Sequence, residues 1–388
     1  MENRYDKYKD SGIAWIGEIP EHWEITSFKR KITINNGKDY KDFLDAEIYP
    51  VMGSGGCFAY CSNYMYDGEA LLLGRKGTID KPLYVKGKFW AVDTMFYAIP
   101  HANLDCKFAY YLALMFPFNL YSTSTSLPSL TQTDLGNILV AFPFLSEQQS
   151  IATYLDQKCG EIDELITLQE EMITKLQSYK QSVITEAVTK GLDKNVPLKD
   201  SGIEWIGEIP EHWKITKIQY LAQLKSGYNL TTEEIKDSGL YPVYGGNGIR
   251  GYYDKYFLEG DYVLIGRQGA LCGNINYSTG KSWATEHAVV CYPKTKYITK
   301  WFGELLRVMN LNQYSLAAAQ PGLAVERIKL LPIPIIPLSE QQTIANYLDQ
   351  KCNEIDELIS IKQQKIEKLK DYKKSLIFEC VTGKRKVS

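Results

Sequence analysis

The 388-residue chain is 45% apolar and 23% charged, the balance of an ordinary globular protein of two or three domains. No run approaches the ~18–20 consecutive apolar residues of a membrane span, and the polar start MENRYDKYKDSG is unlike a signal peptide. A net charge of −2 is low for a protein that grips a polyanion unaided.

The charge is uneven. Residues 27–140 carry 11 Lys and Arg against 10 Asp and Glu, and residues 217–338 carry 13 against 9. Between them, 141–200 carries 6 against 10, so an acidic stretch separates two mildly basic blocks. Such blocks hold phosphates weakly alone, which leaves part of the grip to partners. Eight scattered cysteines form no zinc-ligand pattern; only Cys57 and Cys61 are close, and they read as reduced thiols of a cytoplasmic protein.

In chain order, the first element is the segment DSGIAWIGEIPEHWEIT at 10–26, which returns at 200–216 with two changes in 17 positions. His22 and His212 fall at equivalent places in it and read as packing or capping residues, with no acid or nucleophile spaced to make a triad. The block 27–145 follows, with strand-like runs at Ala70–Leu73 and Tyr84–Val85 and a helical stretch at 106–120. Its counterpart, 217–338, has strands at Tyr262–Ile265 and Ala288–Tyr292 and a helical stretch at 298–311. The two blocks share only a skeleton: YPVMGSGG with YPVYGGNG, GRKG (74–77) with GRQG (266–269), and Trp90-Ala91 with Trp283-Ala284.

Each block is followed by SEQQ and a long heptad helix, at 146–166 and onward and again at 339–359 and onward; these 21-residue copies differ at three positions. The S-x-x-Q spacing predicts a capping box. Leu155, Ile162, Leu176 and Val183 form one apolar row, with Leu165, Met172 and Tyr179 three residues further on and Gln169 interrupting. The second copy gives Leu348, Ile355, Leu369 and Leu376, with Leu358 and Tyr372, and Lys362 interrupting. Gly191 and Gly383 mark the helix ends. Neither stripe can stay exposed alone, so the two helices are expected to pair as an antiparallel coiled coil, or to bundle with a partner protein. Such a rod would fix the separation of two readers. The candidates for contact with a partner are Leu165, Met172, Leu176, Leu358, Leu369 and Leu376.

Near-identical segments can dock near-identical surfaces, while diverged segments in equivalent places can read different targets. The glycine-framed basic turns suit such reading, because glycine lets backbone approach a ligand closely. Arg can take guanine or phosphate, and Gln can take adenine. Arg75, Lys76, Arg267 and Gln268 are the candidate DNA contacts, with Ser54 and Asn247 from the loops 53–56 and 245–248 and a further polar loop at Ser122–Ser126. Tyrosine, present 28 times, suits phosphate contact or a core equally. No [DN]-P-P-[YFW] motif, dinucleotide fingerprint, complete P-loop or metal cluster is present, which speaks against an enzyme.

The pattern DSGIxWIGEIPEHW, a variable block with a GRxG turn, then LSEQQxIAxYLDQKCxEIDELI and a heptad helix ending in VTxG, resembles the specificity subunits of Type I restriction-modification systems, twice over. The resemblance implies an α+β fold and an internal tandem duplication: two mixed α/β target recognition domains separated by long conserved helices that form an antiparallel coiled coil. Its divisions are a conserved segment at 1–26, recognition domain 1 at 27–145, a central helical spacer at 146–199, the repeated segment at 200–216, recognition domain 2 at 217–338 and a C-terminal helical spacer at 339–388. The implied role is non-catalytic reading of a bipartite, asymmetric double-stranded DNA site, with two modification subunits and restriction subunits as partners. S-adenosylmethionine, ATP and magnesium would serve those partners, and this chain would hold no cofactor. A protein-binding scaffold without a DNA role and a stand-alone methyltransferase are the rival readings; the missing catalytic motif disfavours the latter.

Overall fold

Two helices of 46 and 44 residues dominate the secondary structure. Numbering the helices of eight residues or more in chain order gives α1 (Cys106–Ala113), α2 (Leu145–Lys190), α3 (Thr299–Val308) and α4 (Leu338–Val381). The computed structural model describes residues 4–122, 128–269, 271–315 and 322–387. The chain divides into two units, one of Met1–Glu170 with Gln363–Ser388 and the other of Glu171–Lys362.

In the first unit the diverged block builds a six-stranded sheet. Its order is Ile32–Asn36, Met95–Pro100, Tyr66–Gly74, Leu83–Ala91, Tyr49–Gly53 and Gly56–Cys61. Every neighbouring pair is antiparallel except Tyr49–Gly53 with Leu83–Ala91. The apolar run Ala70–Leu73 is fully buried, because one face of the sheet meets α1 and the other a second cluster around Phe89 and Trp90. Strand Glu24–Ser27 pairs with Leu139–Phe142, which brings the two ends of the block together just ahead of α2.

The second unit repeats this plan with two neighbouring strands broken. The counterpart of Tyr66–Gly74 is Leu258–Glu259 and Tyr262–Gly266, parted at Gly260 with φ +123. Where the first sheet has the nine-residue strand Leu83–Ala91, the second has Ile275–Ser278 and Lys281–Ala284, parted at Gly280 with φ +62. The sheet therefore divides into two of four strands, with the same neighbours in the same order. Strand Lys214–Lys217 pairs with Pro332–Ile335 and closes this block ahead of α4. The strands expected in both blocks form; the helical stretch expected at 106–120 is Cys106–Ala113 followed by a separate turn of helix at Phe118–Tyr121, and that expected at 298–311 is Thr299–Val308.

The long helices pack antiparallel within each unit. In the first, Ile151, Leu155, Cys159 and Ile162 of α2 share a core with Leu376, Ile377 and Cys380 of α4. In the second, Val183, Ile184 and Ala187 share one with Ile344, Leu348 and Cys352. The expected heptad row of Leu155, Ile162 and Val183 is buried, but its companion row differs from the expected one. The seam takes the residues four further on, Cys159 and Ile166, with Cys352 and Ile366 in the second copy. Leu165, Tyr179, Leu358 and Tyr372 face outward, each 45% exposed or more. The reason is lateral packing. Tyr111 and Lys107 of α1 reach Asp156, so the α2 flank bearing Asp156 and Cys159 lies under the reader and is turned inward. Lysines close the seam edges: Lys373 pairs with Asp163 at 2.7 Å in the first unit, and Lys180 with Asp356 at 2.6 Å in the second.

The capping box is also replaced. Both long helices start at the leucine before the serine, so Ser146 and Ser339 lie inside the first turn rather than at its cap. The helix ends are as expected: Gly191 and Gly383 have φ +74 and +73, which favour glycine.

Candidate nucleic-acid interface

Each reader carries the same floor of three backbone segments. In the first, Gly74–Gly77 turns directly out of the strand Tyr66–Gly74. The Arg75 amide donates to the Thr94 carbonyl at 2.8 Å, and the Gly77 amide to Pro128 at 2.9 Å. The Val92 amide donates to Met52, which ties the hairpin ending at Gly53 to the same floor. In the second, the Arg267 amide donates to His287 at 2.8 Å, and the Leu323 amide to the Arg267 carbonyl at 2.9 Å. A Cβ on Gly266 would collide with the Gly246 carbonyl, so turn and hairpin tip touch there, and only glycine allows it.

The skeleton motifs are what build this floor. The Trp90 indole donates to the Lys38 carbonyl at 2.8 Å, and the Trp283 indole to Tyr228 at 3.2 Å. Gly37 and Gly227 sit so close to the backbone around Val92 and Ala284 that a side chain would not fit. The Trp-Ala pair thus pins the strand exit beside the turn in both readers.

The candidate contact residues occupy this floor. Ser54 lies in the turn joining Tyr49–Gly53 to Gly56–Cys61, and Asn247 in the equivalent turn between Tyr241–Gly245 and Gly248–Tyr253. Lys76, Gln268 and Asn247 are exposed; Arg75, Arg267 and Ser54 are half-buried. Arg75 donates from Nη1 to the Asp93 carbonyl at 3.4 Å and lies over the Phe96 ring, while Arg267 donates from Nη1 to Ser226 Oγ at 3.0 Å. A guanidinium has five N–H donors, so either anchor is compatible with a second partner. Of the polar loop at Ser122–Ser126, residues 123–126 lie outside the described residues.

Composition hid a second repeated feature. Lys88 lies 4.6 Å from the Tyr64 ring and 5.6 Å from Tyr49, and Lys281 lies 4.5 Å from Tyr256. Tyr64 and Tyr256 are more than a third exposed, so each reader presents an ammonium on a tyrosine face. The 192- and 193-residue offsets of these pairs carried the signal.

The near-identical segments meet at a junction, and their motifs are partners. Glu147 Oε1 accepts from the Tyr5 hydroxyl at 2.6 Å and the Trp23 indole at 3.2 Å; Oε2 meets His22 at 2.8 Å. In the other unit Glu340 takes the Trp213 indole and His212, both at 3.0 Å. Burial, then the hydrogen bond to Glu147, pushes the Tyr5 hydroxyl well above its ordinary pKa. The next residue ties the reader down. Gln148 Oε1 accepts the Asp105 amide ahead of α1 at 2.9 Å, and its Nε2 donates to Pro143 at 3.0 Å and Asn103 at 3.3 Å. Gln341 takes the Ile298 amide ahead of α3 and donates to Ile336, both at 2.9 Å. The Glu and Gln of SEQQ therefore clamp the EHW segment and the reader to the helix start.

The helix candidates fall into two groups. Leu165 and Leu358 are exposed, Met172 and Leu176 half-buried, and Leu369 packs at the edge of the first core. Leu376 is a correction: at 1% exposure it lies inside the first core beside Ile377 and Cys380, with no surface left for a partner. Leu168 and Ile361, 43% and 53% exposed, extend the outward row at equivalent places.

Among the described residues, no three His, Cys, Asp or Glu side chains gather into a metal-binding group, and no helix is long and apolar enough to cross a membrane. Cys57 is exposed and Cys61 buried, so the one close cysteine pair faces apart.

Known proteins resemble this chain along most of its length. The chain is 39% identical over 149 residues to the Type I restriction enzyme EcoprrI specificity subunit of Escherichia coli, a region covering 37% of each. It is 24% identical to the MjaVIII specificity subunit of Methanocaldococcus jannaschii over 95% of this chain and 94% of that one. The fold is similar to a chain from a structure addressing complex assembly and conformational transition of the type I R-M system, with TM-score 0.74, 16% identity and coverage of 94% and 98%. The HsdS subunit of Thermoanaerobacter tengcongensis is similar too, with TM-score 0.53, 16% identity and the same coverage. The family model for the Type I restriction modification DNA specificity domain matches residues 20–177 and again 210–370, and the chain belongs to that family.

Proposed function

We propose that this chain is the non-catalytic DNA-reading subunit of a cytoplasmic Type I restriction-modification complex. Its diverged blocks, 27–145 and 217–338, each read one half of a bipartite, asymmetric site on double-stranded DNA. The observation that carries this reading is the three-segment floor built twice on the same backbone ties with different side chains. A shared scaffold with exchanged side chains is what two readers of different sequences require. Arg75, Lys76 and Ser54 would face one half-site, and Arg267, Gln268 and Asn247 the other. The outward rows of the long helices, Leu165 and Leu168 in one unit and Leu358 and Ile361 in the other, suit two modification subunits docking at equivalent places. Restriction subunits would join that assembly. Methyl transfer and cleavage would belong to those partners, with S-adenosylmethionine, ATP and magnesium.

The test is methylation mapping on a random duplex library with the assembled complex. Arg75→Ala is expected to relax one half-site and Arg267→Ala the other, each costing about 1–3 kcal/mol on its own half if a base is read. Leu165→Arg and Leu358→Arg are expected to release modification subunits and leave the chain folded. A labelled methyl group transferred by the chain alone would overturn the division of labour, and a complex with no sequence preference would favour a scaffold.

A further inference from the structure

The two readers share one floor but differ in what stands on it. The Arg75 amide bonds the Thr94 carbonyl and the Arg267 amide bonds the His287 carbonyl, both at 2.8 Å, so Thr94 and His287 hold the same place. The x position of the GRxG turn is Lys76 in one reader and Gln268 in the other. In the second reader those two positions are joined: His287 Nδ1 lies 2.9 Å from Gln268 Oε1. The other ring nitrogen, Nε2, lies 3.0 Å from Glu286 Oε1. With a proton on each nitrogen the imidazole is held from both sides; with its proton on Nδ1 alone it keeps the Gln268 contact.

A second amide close by is tied in the same way. Asn274 Nδ2 donates to Asn247 Oδ1 at 2.7 Å. The hairpin tip that carries Asn247 lies against the turn that carries Gln268, since a Cβ on Gly246 would meet the Gln268 and His287 carbonyls at 3.4 and 3.3 Å. The first reader has Gly55 at the tip where the second has Asn247, and Lys81 where the second has Asn274.

We infer that His287 and Asn274 are specificity-positioning residues of the second reader: they hold the Gln268 and Asn247 amide oxygens back and present the amide N–H groups to DNA. This rests on the proposed function. An amide offering N–H donors matches a major-groove acceptor: guanine N7 or O6, adenine N7, or thymine O4. It mismatches cytosine, whose groove edge offers the N4 donor. The second half-site is therefore expected to exclude cytosine at the position Gln268 contacts. A two-point contact of Gln268 with adenine would have to use the second lone pair of the oxygen that His287 holds back.

The experiment is selection from a fully randomised duplex library with the complex carrying wild-type chain, His287→Ala, His287→Asn or Gln268→Ala. Asparagine can still donate to Gln268, whereas alanine releases the amide to turn its oxygen outward. The expected result is cytosine exclusion at one position of the second half-site in wild type. His287→Ala should lose it by roughly fivefold or more, His287→Asn should retain it, and Gln268→Ala should lose preference at the same position. The first half-site, read by the same molecules, should be unchanged in all four and reports folding. An unaltered second half-site in His287→Ala overturns the inference, as does an equal loss of affinity on every sequence, which is the signature of a phosphate contact. A wild-type complex that selects no sequence is a different failure, and removes the proposed function itself.

Discussion

Gln148→Ala tests whether the SEQQ motif is a clamp or an ordinary helix start. Gln148 is 1% exposed, and its amide serves the Asp105 N–H and the Pro143 and Asn103 carbonyls. Alanine removes all three bonds, one buried methylene and the carboxamide. An orphaned buried polar group costs about 1–3 kcal/mol, and a lost methylene about 0.8 kcal/mol. The 3.3 Å bond is the weakest, and a carbonyl with two lone pairs suffers less than an N–H. The expected loss is about 3–5 kcal/mol, a large part of an ordinary domain's stability. Gln341→Ala, with two such bonds, should cost about 2–4 kcal/mol. The exposed neighbour Gln149→Ala should stay within about 0.5 kcal/mol. Gln148→Glu separates size from hydrogen bonding. Its carboxylate can accept the Asp105 amide but faces two carbonyls with no proton to give, so burial raises its pKa in the folded chain. That penalty is absent below the unfolded value of about 4.3 and grows as pH rises above it. Denaturant midpoints measure the cost, and hydrogen exchange at Asp105–Phe108 locates it in the first unit. A Gln148→Ala protein as stable as Gln149→Ala, with those amides still protected, would falsify the clamp.

Other expectations follow from burial and backbone. Of eight free cysteines only Cys57 is exposed, so a thiol reagent should label one equivalent quickly in the native chain and none in Cys57→Ser. Burial pushes the Cys106 and Cys380 thiols from 9.0 up to about 12, so the folded chain holds these protons longer than the unfolded one. The stability they contribute is intact below pH 9 and is lost between there and about pH 12, which alkaline unfolding curves should show. Gly383→Ala should destabilise more than Gly191→Ala. Both have positive φ, but a Cβ at Gly383 would strike Pro20, whereas at Gly191 it meets Glu340 and Trp213 at 3.3 Å. Reversing Lys180 to Glu should cost no more than about 1 kcal/mol, because its partner Asp356 is half exposed; thermal melts at two salt concentrations would check this.

The duplication, the strands of both readers and the pairing of the long helices were legible because each leaves a periodic trace over many residues. The phase of the helix seam was not. A heptad row such as Leu155, Ile162 and Val183 accepts a companion row three or four residues on, and here both are partly apolar. Leu165 and Met172 are as apolar a choice as Cys159 and Ile166, and the seam takes the latter. What decides it is the reader domain seated on Asp156, a tertiary contact that no helical periodicity encodes. Leu376 belongs to the heptad row itself, so its burial follows from that row and not from the phase of the companion. The floor of the readers was half legible: the GRxG turns announced themselves, but the hydrogen bonds to Thr94 and His287 that hold them are backbone bonds and leave no residue signature.

The two near-identical segments pose a question of their own, because each alone looks replaceable. A short aromatic segment and a helix start could each vary if they packed only against generic apolar surface. The geometry removes that freedom. The His22 and Trp23 side chains converge on one carboxylate, Glu147, and His212 and Trp213 on Glu340. The adjoining glutamine is spent on an amide of the reader. Loss of the glutamate leaves the buried indole N–H of Trp23 or Trp213 without that partner, and loss of the glutamine does the same to an amide of the reader, at a cost comparable to the loss of several surface contacts. The reader's own loops have no such mutual dependence: their scaffold is held by backbone bonds, to which Lys76 or Gln268, and Thr94 or His287, are equally acceptable. The side chains proposed to meet DNA are thereby decoupled from those that hold the fold. That separation is what allows one chain to carry two readers with different surfaces on one set of joints.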